Sequence, residues 1–208
     1  PDLTQIRDAG APFDDADADI IVRSSDGVDF RLYKAILIKA SHAFRDMFAA
    51  QPHPPPNLDP GLDSTHSSPT RDGLPVIPLP EDAHALTLLF TLLYPVPNAE
   101  LSTTAEVRAL LHALDKYCVE PHAFTTAAQI LLAAASQTPE LAYALACRYR
   151  LPDVAKAAAK LTLRKPTGLC ALSEADAANL SGLQYHRLVQ YQNACITAAL
   201  HAIKTFLW

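Results

Sequence analysis

The stretch Ala18-Asp19-Ile20-Ile21-Val22-Arg23-Ser24-Ser25-Asp26-Gly27-Val28-Asp29-Phe30-Arg31-Leu32 decides the reading of this chain. Ile20, Ile21 and Val22 form a β-branched, continuously apolar run. From Val28 to Leu32 apolar and charged residues alternate, which places Val28, Phe30 and Leu32 on one face of a strand and Asp29 and Arg31 on the other. Between the runs stands Ser25-Asp26-Gly27, and Asp-Gly so flanked is a strong hairpin signal because such a turn needs positive φ. A β-hairpin is therefore expected over residues 19–32.

After Tyr33 the period changes from two to three and four. Ile36, Leu37 and Ala40, then Phe44, Met47 and Phe48, mark two short helices, with Ser41 placed to cap the second. Residues 51–73 carry six prolines among polar residues, with little apolar content beyond Leu58 and Leu62. Such a segment cannot bury enough surface to offset its ordering entropy and is expected to be a disordered insertion. Leu74 to Leu79 predicts a third strand, which Pro75 and Pro78 would confine to an edge or to partial pairing. Pro80-Glu81-Asp82 then opens a helix with the stripe Leu86, Leu89, Phe90 and Leu93, ended by Tyr94-Pro95-Val96-Pro97.

Everything beyond is helical by pattern. Ser102 and Thr103 with Glu106 form a capping box ahead of Val107, Leu110, Leu111, Leu114 and Cys118. Phe124, Ala128, Leu131 and Ala135 mark the next helix. Two more, over 139–150 and 153–164, are joined through one proline as an antiparallel pair. The last runs from Gln184, with Tyr185, Leu188, Cys195, Ala199, Ile203 and Phe206 on one side. Its stripe has two readings, packing against the preceding helix pair or an oligomerisation and partner face, and the sequence does not separate them.

The chain has 208 residues and a formal net charge of −5. That charge offers no general attraction to phosphate backbones or anionic lipid, so no direct nucleic-acid partner and no membrane partner is expected. No run of 18 uninterrupted apolar residues predicts a membrane span. Cys118, Cys147, Cys170 and Cys195 include no Cys-x-x-Cys pair and read as reduced thiols of an intracellular protein, cytoplasmic or nuclear. The chain begins at Pro1 without Met and stops at Trp208 directly after an apolar pattern, as a piece of a longer protein would.

The residues from Ala18 to Gly27, then Phe30-Arg31-Leu32-Tyr33-Lys34-Ala35-Ile36-Leu37, then Ala40-Ser41-His42-Ala43-Phe44-Arg45-Asp46-Met47-Phe48, closely resemble the opening of a BTB/POZ domain. The resemblance continues through Val76-Ile77, the helix 82–94 ending in Tyr94, and Leu110 to Tyr117. It implies an α+β fold, a small β-sheet flanked by helices over residues 17–120, after a lead-in at 1–16. Residues 121–208 resemble the all-helical extension of fungal BTB proteins. The family is a non-catalytic protein–protein interaction module. The resemblance thus implies a homodimer acting as scaffold or adaptor for unknown protein clients. As an alternative, it implies a substrate adaptor of a cullin-type ubiquitin ligase. Two positions carry across: Asp19, at the family's first-strand aspartate, and Lys34, after the family's usual histidine. In related domains these charges share a pocket beside the dimer interface; the competing reading is that Asp19 accepts nearby backbone N–H groups and Lys34 is solvated. Tyr33 stands where the family usually has His, and no glutamate occurs from Phe48 to Pro80, which weakens the cullin reading.

No catalytic, cofactor or metal constellation is expected. Asp115, Cys118 and His122 lack a fourth ligand at matching spacing. Asp14, Asp15, Asp17 and Asp19 lack the turn and Gly of a calcium loop and read as a solvated acidic lead-in. No phosphate-binding loop, Gly-x-Ser-x-Gly or His-Glu-x-x-His occurs. A small helical hydrolase using Cys118 or His122 would want an orienting third group, and none stands at a recognisable spacing.

Overall fold

The computed structural model describes residues 6–50, 69–96, 103–164 and 172–206. They divide into two compact units, Pro1–Glu100 with His112–Phe124, and Leu101–Leu111 with Thr125–Trp208. The fold is mixed α+β.

In the first unit the expected hairpin forms as β2 (Ile20–Arg23) and β3 (Val28–Leu32), antiparallel, with Val22 opposite Phe30 and Arg23 opposite Asp29. In its turn only Gly27 takes positive φ, +81°. The Ser24 hydroxyl accepts the Val28 N–H at 2.8 Å. The sheet has five strands in the order β1-β3-β2-β5-β4. The lead-in contributes one of them: β1 (Arg7–Asp8) runs parallel beside β3, and Phe13 is buried.

The third expected strand is β5 (Leu74–Pro78), parallel to β2. It is not an edge strand, because β4 (Thr70–Arg71) pairs on its other side, turning through Asp72 and Gly73 at φ +53° and +77°, but its pairing is partial as expected, Val76–Pro78 with β2 and Leu74–Pro75 with β4. The prolines are tolerated by register. Val76 donates its N–H to Pro69 on the β4 side, and Leu79 donates to Arg23 on the β2 side. Alternation therefore aims the positions of the missing Pro75 and Pro78 donors where pairing has not begun or has already ended. Of the proposed insertion, residues 51–68 lie outside the described residues, whereas 69–73 form this hairpin. The low apolar content of 69–73 does not prevent it, because β4 is held by backbone pairing and by Arg71.

Helices α1 (Lys34–Ala40) and α2 (His42–Ala49) are separated by Ser41, whose hydroxyl accepts the Phe44 N–H at 3.1 Å and donates to the Tyr117 carbonyl at 2.5 Å. Helix α3 (Ala83–Leu93) is capped by Asp82, which accepts from Ala85, and ends at Tyr94 before Pro95. These elements bury Ile20, Ile21, Leu32, Leu37, Leu86 and Leu89 completely. Phe13, Phe30 and Phe90 lie against one another with ring centroids 5.5–6.1 Å apart, and Phe44 stacks on Tyr117 at 4.9 Å.

The division falls within α4 (Thr104–Lys116), whose capping box forms: Thr103 donates its backbone N–H to Glu106 at 2.9 Å and its hydroxyl accepts the Glu106 N–H at 3.2 Å. The second unit continues through α5 (Pro121–Ala134), which starts in the first, α6 (Pro139–Arg148) and α7 (Pro152–Thr162). The expected pair α6 and α7 packs together through Ala142, Leu145, Val154 and Ala158, all buried. A short helix not expected from periodicity, α8 (Glu174–Ala177), is capped by Ser173 and tied through Asp176 to Arg108 at 2.8 Å. Last comes α9 (Gly182–Phe206), along which Leu188 alone is buried among the described residues.

Candidate functional site

The resemblance singles out Asp19 and Lys34, and the chain does bring them together, but through the backbone. Asp19 lies just before β2, where its N–H donates to Leu32 at 3.2 Å. One turn of strand away, β3 ends and α1 begins. Asp19 Oδ1 accepts the Lys34 N–H at 2.7 Å. Lys34 is the first residue of α1, and its N–H has no intrahelical acceptor. The residue before it, Tyr33, offers no side-chain cap. Asp19 thus supplies from the neighbouring strand the cap that the local sequence lacks. No ion pair joins the Asp19 carboxylate to the Lys34 ammonium. The geometry matches the acceptor reading of Asp19 in place of a side-chain charge pair.

Tyr33, which replaces the family's histidine, is held at both ends. Its N–H donates to the Tyr94 hydroxyl at 2.7 Å, and its own hydroxyl donates to the Asp15 carboxylate. That carboxylate, hydrogen-bonded to Tyr33, raises the phenol's pKa to about 12. The same bond, with the Asp17 N–H, holds Asp15 below the usual carboxylate range. Burial raises the Tyr94 phenol, too. All these phenols are neutral donors and acceptors at physiological pH, not bases. The acidic lead-in is therefore structural in part: Asp15 fixes Tyr33.

The other end of the hairpin repeats the device. Asp26 Oδ1 accepts at 2.8 Å the N–H of Ala83, the first residue of α3. Hydrogen bonds from Ser24 and from Ala83 hold Asp26 below its ordinary pKa, against some burial. One hairpin thereby fixes the entry of two helices.

A second charged cluster lies on the face of β3 that carries Asp29 and Arg31. Asp29 is fully buried, with its carboxylate accepting from Arg23 Nε at 2.6 Å and Nη2 at 2.9 Å and from Arg71 Nη1. Arg71 also reaches Asp8 at 2.9 Å. Burial pushes the Asp29 carboxyl up, but the two guanidinium groups outweigh it and hold the group below its ordinary value. The two arginine side chains stay partly exposed, at 25% and 30%, while the carboxylate they hold is fully buried. The Arg23 and Asp29 half of this pair is legible from the hairpin register, which sets them opposite each other. Arg71 is not, since it arrives from β4.

A concavity of about 670 Å³ opens between residues 7–13, β3 and α3. Its wall is mainly carbon from Pro12, Phe13 and Phe30, with Arg7, Thr87 and Thr91 as polar groups. The Thr87 hydroxyl is already donated to the Ala83 carbonyl at 2.7 Å. The described lining residues supply no carboxylate, imidazole or thiol, so they assemble no acid–base pair there. Among the described residues no group of three His, Cys, Asp or Glu side chains is arranged to hold a metal ion. Cys118 sits at φ +47° at the end of α4, giving its carbonyl to the His42 N–H. Among the described residues no helix is long and apolar enough to cross a membrane. The chain matches no protein-family model and no curated protein.

Proposed function

We propose that the chain is a non-catalytic protein–protein interaction module of the BTB/POZ type, a homodimeric scaffold or adaptor whose helical extension serves protein clients. The observation that carries this reading is the course of residues 19–94. A hairpin runs into two helices parted by Ser41, the next long strand returns parallel to β2, and α3 follows it, closing on Tyr94. That is the order in which the resembling segments occur. The conversion of Asp19, Tyr33 and Tyr94 into fixed hydrogen-bonding partners at one helix entry is a structural use of polar groups, not a chemical one.

Light scattering of the purified chain between 1 and about 100 micromolar tests the reading. A dimer mass supports it, and a strictly monomeric mass at tens of micromolar overturns the homodimer. Capture of a purified cullin by the immobilised chain would move the assignment to the ubiquitin-ligase adaptor.

A further inference from the structure

Helix α9 begins as part of the second unit and, among the described residues, ends without a partner. Its first half is tied down: Leu188 is buried, the Tyr143 hydroxyl donates to the Gln184 carbonyl at 2.9 Å, and Gln192 donates to the Thr162 hydroxyl at 2.9 Å. From Asn193 to Phe206 every residue but Cys195 is exposed. The side-chain hydrogen bonds here are internal, Thr197 to Asn193 and Thr205 to His201. This is about 20 Å of helix, at 1.5 Å per residue.

The exposed segment is not polar, as a helix standing free in water would be. Ile196, Leu200 and Ile203 are each 55% exposed and Phe206 is 89% exposed. Ile196, Leu200 and Ile203 follow one another at intervals of four and three, with Asn193 three residues before Ile196, so they make one seam of the kind that pairs helices. Tyr185, half exposed, continues it toward the start of α9, since 18 residues separate it from Ile203 and five helical turns restore the same face.

We infer that this seam pairs with the same seam of a second copy of the chain, making α9 a self-association element. Area favours that occupant. Tyr185, Ile196, Leu200, Ile203 and Phe206 expose on the order of 600 Å² per copy, so two copies can bury at most about 1,200 Å², which reaches the lower end for a specific interface. Charge favours it too. Helix α9 contains no Asp or Glu, and residues 193–206 carry only His201 and Lys204 as titratable cations, too few to recruit an acidic protein or to form the basic face of a lipid-surface helix. An uncharged apolar seam can meet its own copy across a two-fold axis with no like-charge repulsion. This inference uses only the second unit and is independent of whether the first unit dimerises.

The test compares three full-length chains by light scattering across the same concentration range: the natural sequence, a seam variant with Leu200→Glu and Ile203→Glu, and a back-face variant with Ala198→Glu and Thr205→Glu. All four positions are exposed, so each variant folds, as circular dichroism would verify. The seam variant is expected to raise the dissociation constant at least tenfold, or to lower the limiting mass from a higher assembly to a dimer, while the back-face variant follows the natural chain. If seam and back-face variants behave alike, the inference is overturned while the dimeric-module reading stands. If the seam variant is wholly monomeric, the inference is upheld and dimerisation through the first unit fails. A monomeric natural chain at all concentrations overturns both.

Discussion

Asp19 accepts the backbone N–H of Lys34 at 2.7 Å across 15 residues of chain, joining the start of the first long strand to the first turn of the first helix. Asp26 does the same for Ala83 across 57 residues. Two helices are thus entered through carboxylates that belong to one hairpin, so helix placement and hairpin formation depend on the same residues.

If Asp19 acts on the backbone of Lys34, the two side chains are energetically separate. Asp19→Ala is expected to lower stability by about 1 kcal/mol, the usual value of a lost helix cap. Lys34→Gln should stay within about 0.5 kcal/mol of the natural chain, as exposed substitutions do. The double variant should match the Asp19→Ala change alone. Urea unfolding of the four chains gives the cycle, and a coupling above 1 kcal/mol would restore a side-chain ion pair.

Asp29 has the opposite character, a carboxylate taken out of water and satisfied by two guanidinium groups. Replacing it with Ala takes the carboxylate from Arg23 and leaves Arg71 with Asp8, and should cost about 2–4 kcal/mol, somewhat below the roughly 3–5 kcal/mol of a fully buried pair because the arginines stay partly in water. Its pKa is lowered on folding, so its contribution is present above the unfolded carboxylate value near 4 and disappears as pH falls through the folded value. The natural chain should therefore lose stability as pH drops below about 4. Asp29→Asn should remove part of that slope in acid unfolding followed by circular dichroism, and parallel curves for the two chains would contradict this.

The strand β4 matters because it delivers Arg71 to Asp29. Removing residues 55–66 should leave the thermal midpoint within a few degrees, as the Pro-rich composition suggests. Extending the deletion through Gly73 removes Arg71 and the β4 pairing, and should lower the midpoint by roughly 10 °C or more, since 1 kcal/mol shifts it by about 4–8 °C in a unit of this size. Equal effects of the two deletions would show that Arg71 is dispensable.

Glu140 presents the reverse situation. It is 3% exposed at the second position of α6, and its Oε1 has no hydrogen-bonding partner among the described residues. The positive end of α6 favours a negative charge by about 0.3–1 kcal/mol. A buried polar atom left without a partner costs about 1–3 kcal/mol, which is more than that. Glu140→Met is therefore expected to raise the thermal midpoint by several degrees in a calorimetric scan. A fall would mean that the carboxylate is held by a donor.

Local patterns decided much of this protein. The hairpin follows from a two-residue period broken by Asp26-Gly27, and α1 and α2 from the switch to a period of three and four at Tyr33. The Ser41 and Thr103 caps were legible because a cap is a relation between residues two or three positions apart, and each forms. Non-local relations were not legible. The register sets Arg23 opposite Asp29, but the second guanidinium on that carboxylate, Arg71, arrives from 42 residues away. Likewise β1 and β4 are two-residue strands with no periodicity of their own, defined by the neighbour that accepts their hydrogen bonds.

The same distinction governs the candidate residues. The sequence alone determined that Asp19 and Lys34 would stand at a strand start and a helix start, because those elements are set by nearby periodicity. Only the tertiary structure decided that the carboxylate meets the Lys34 amide and not its ammonium, since that depends on how β2 lies beside the entry to α1 to within an ångström. For α9 the sequence determined an apolar stripe and left its use open. The tertiary structure decided which part is covered: Gln184 and Gln192 bond to α6 and α7, and among the described residues beyond Gln192 all but Cys195 are exposed. Periodicity states which side of a helix is apolar, whereas burial depends on whether another element reaches it.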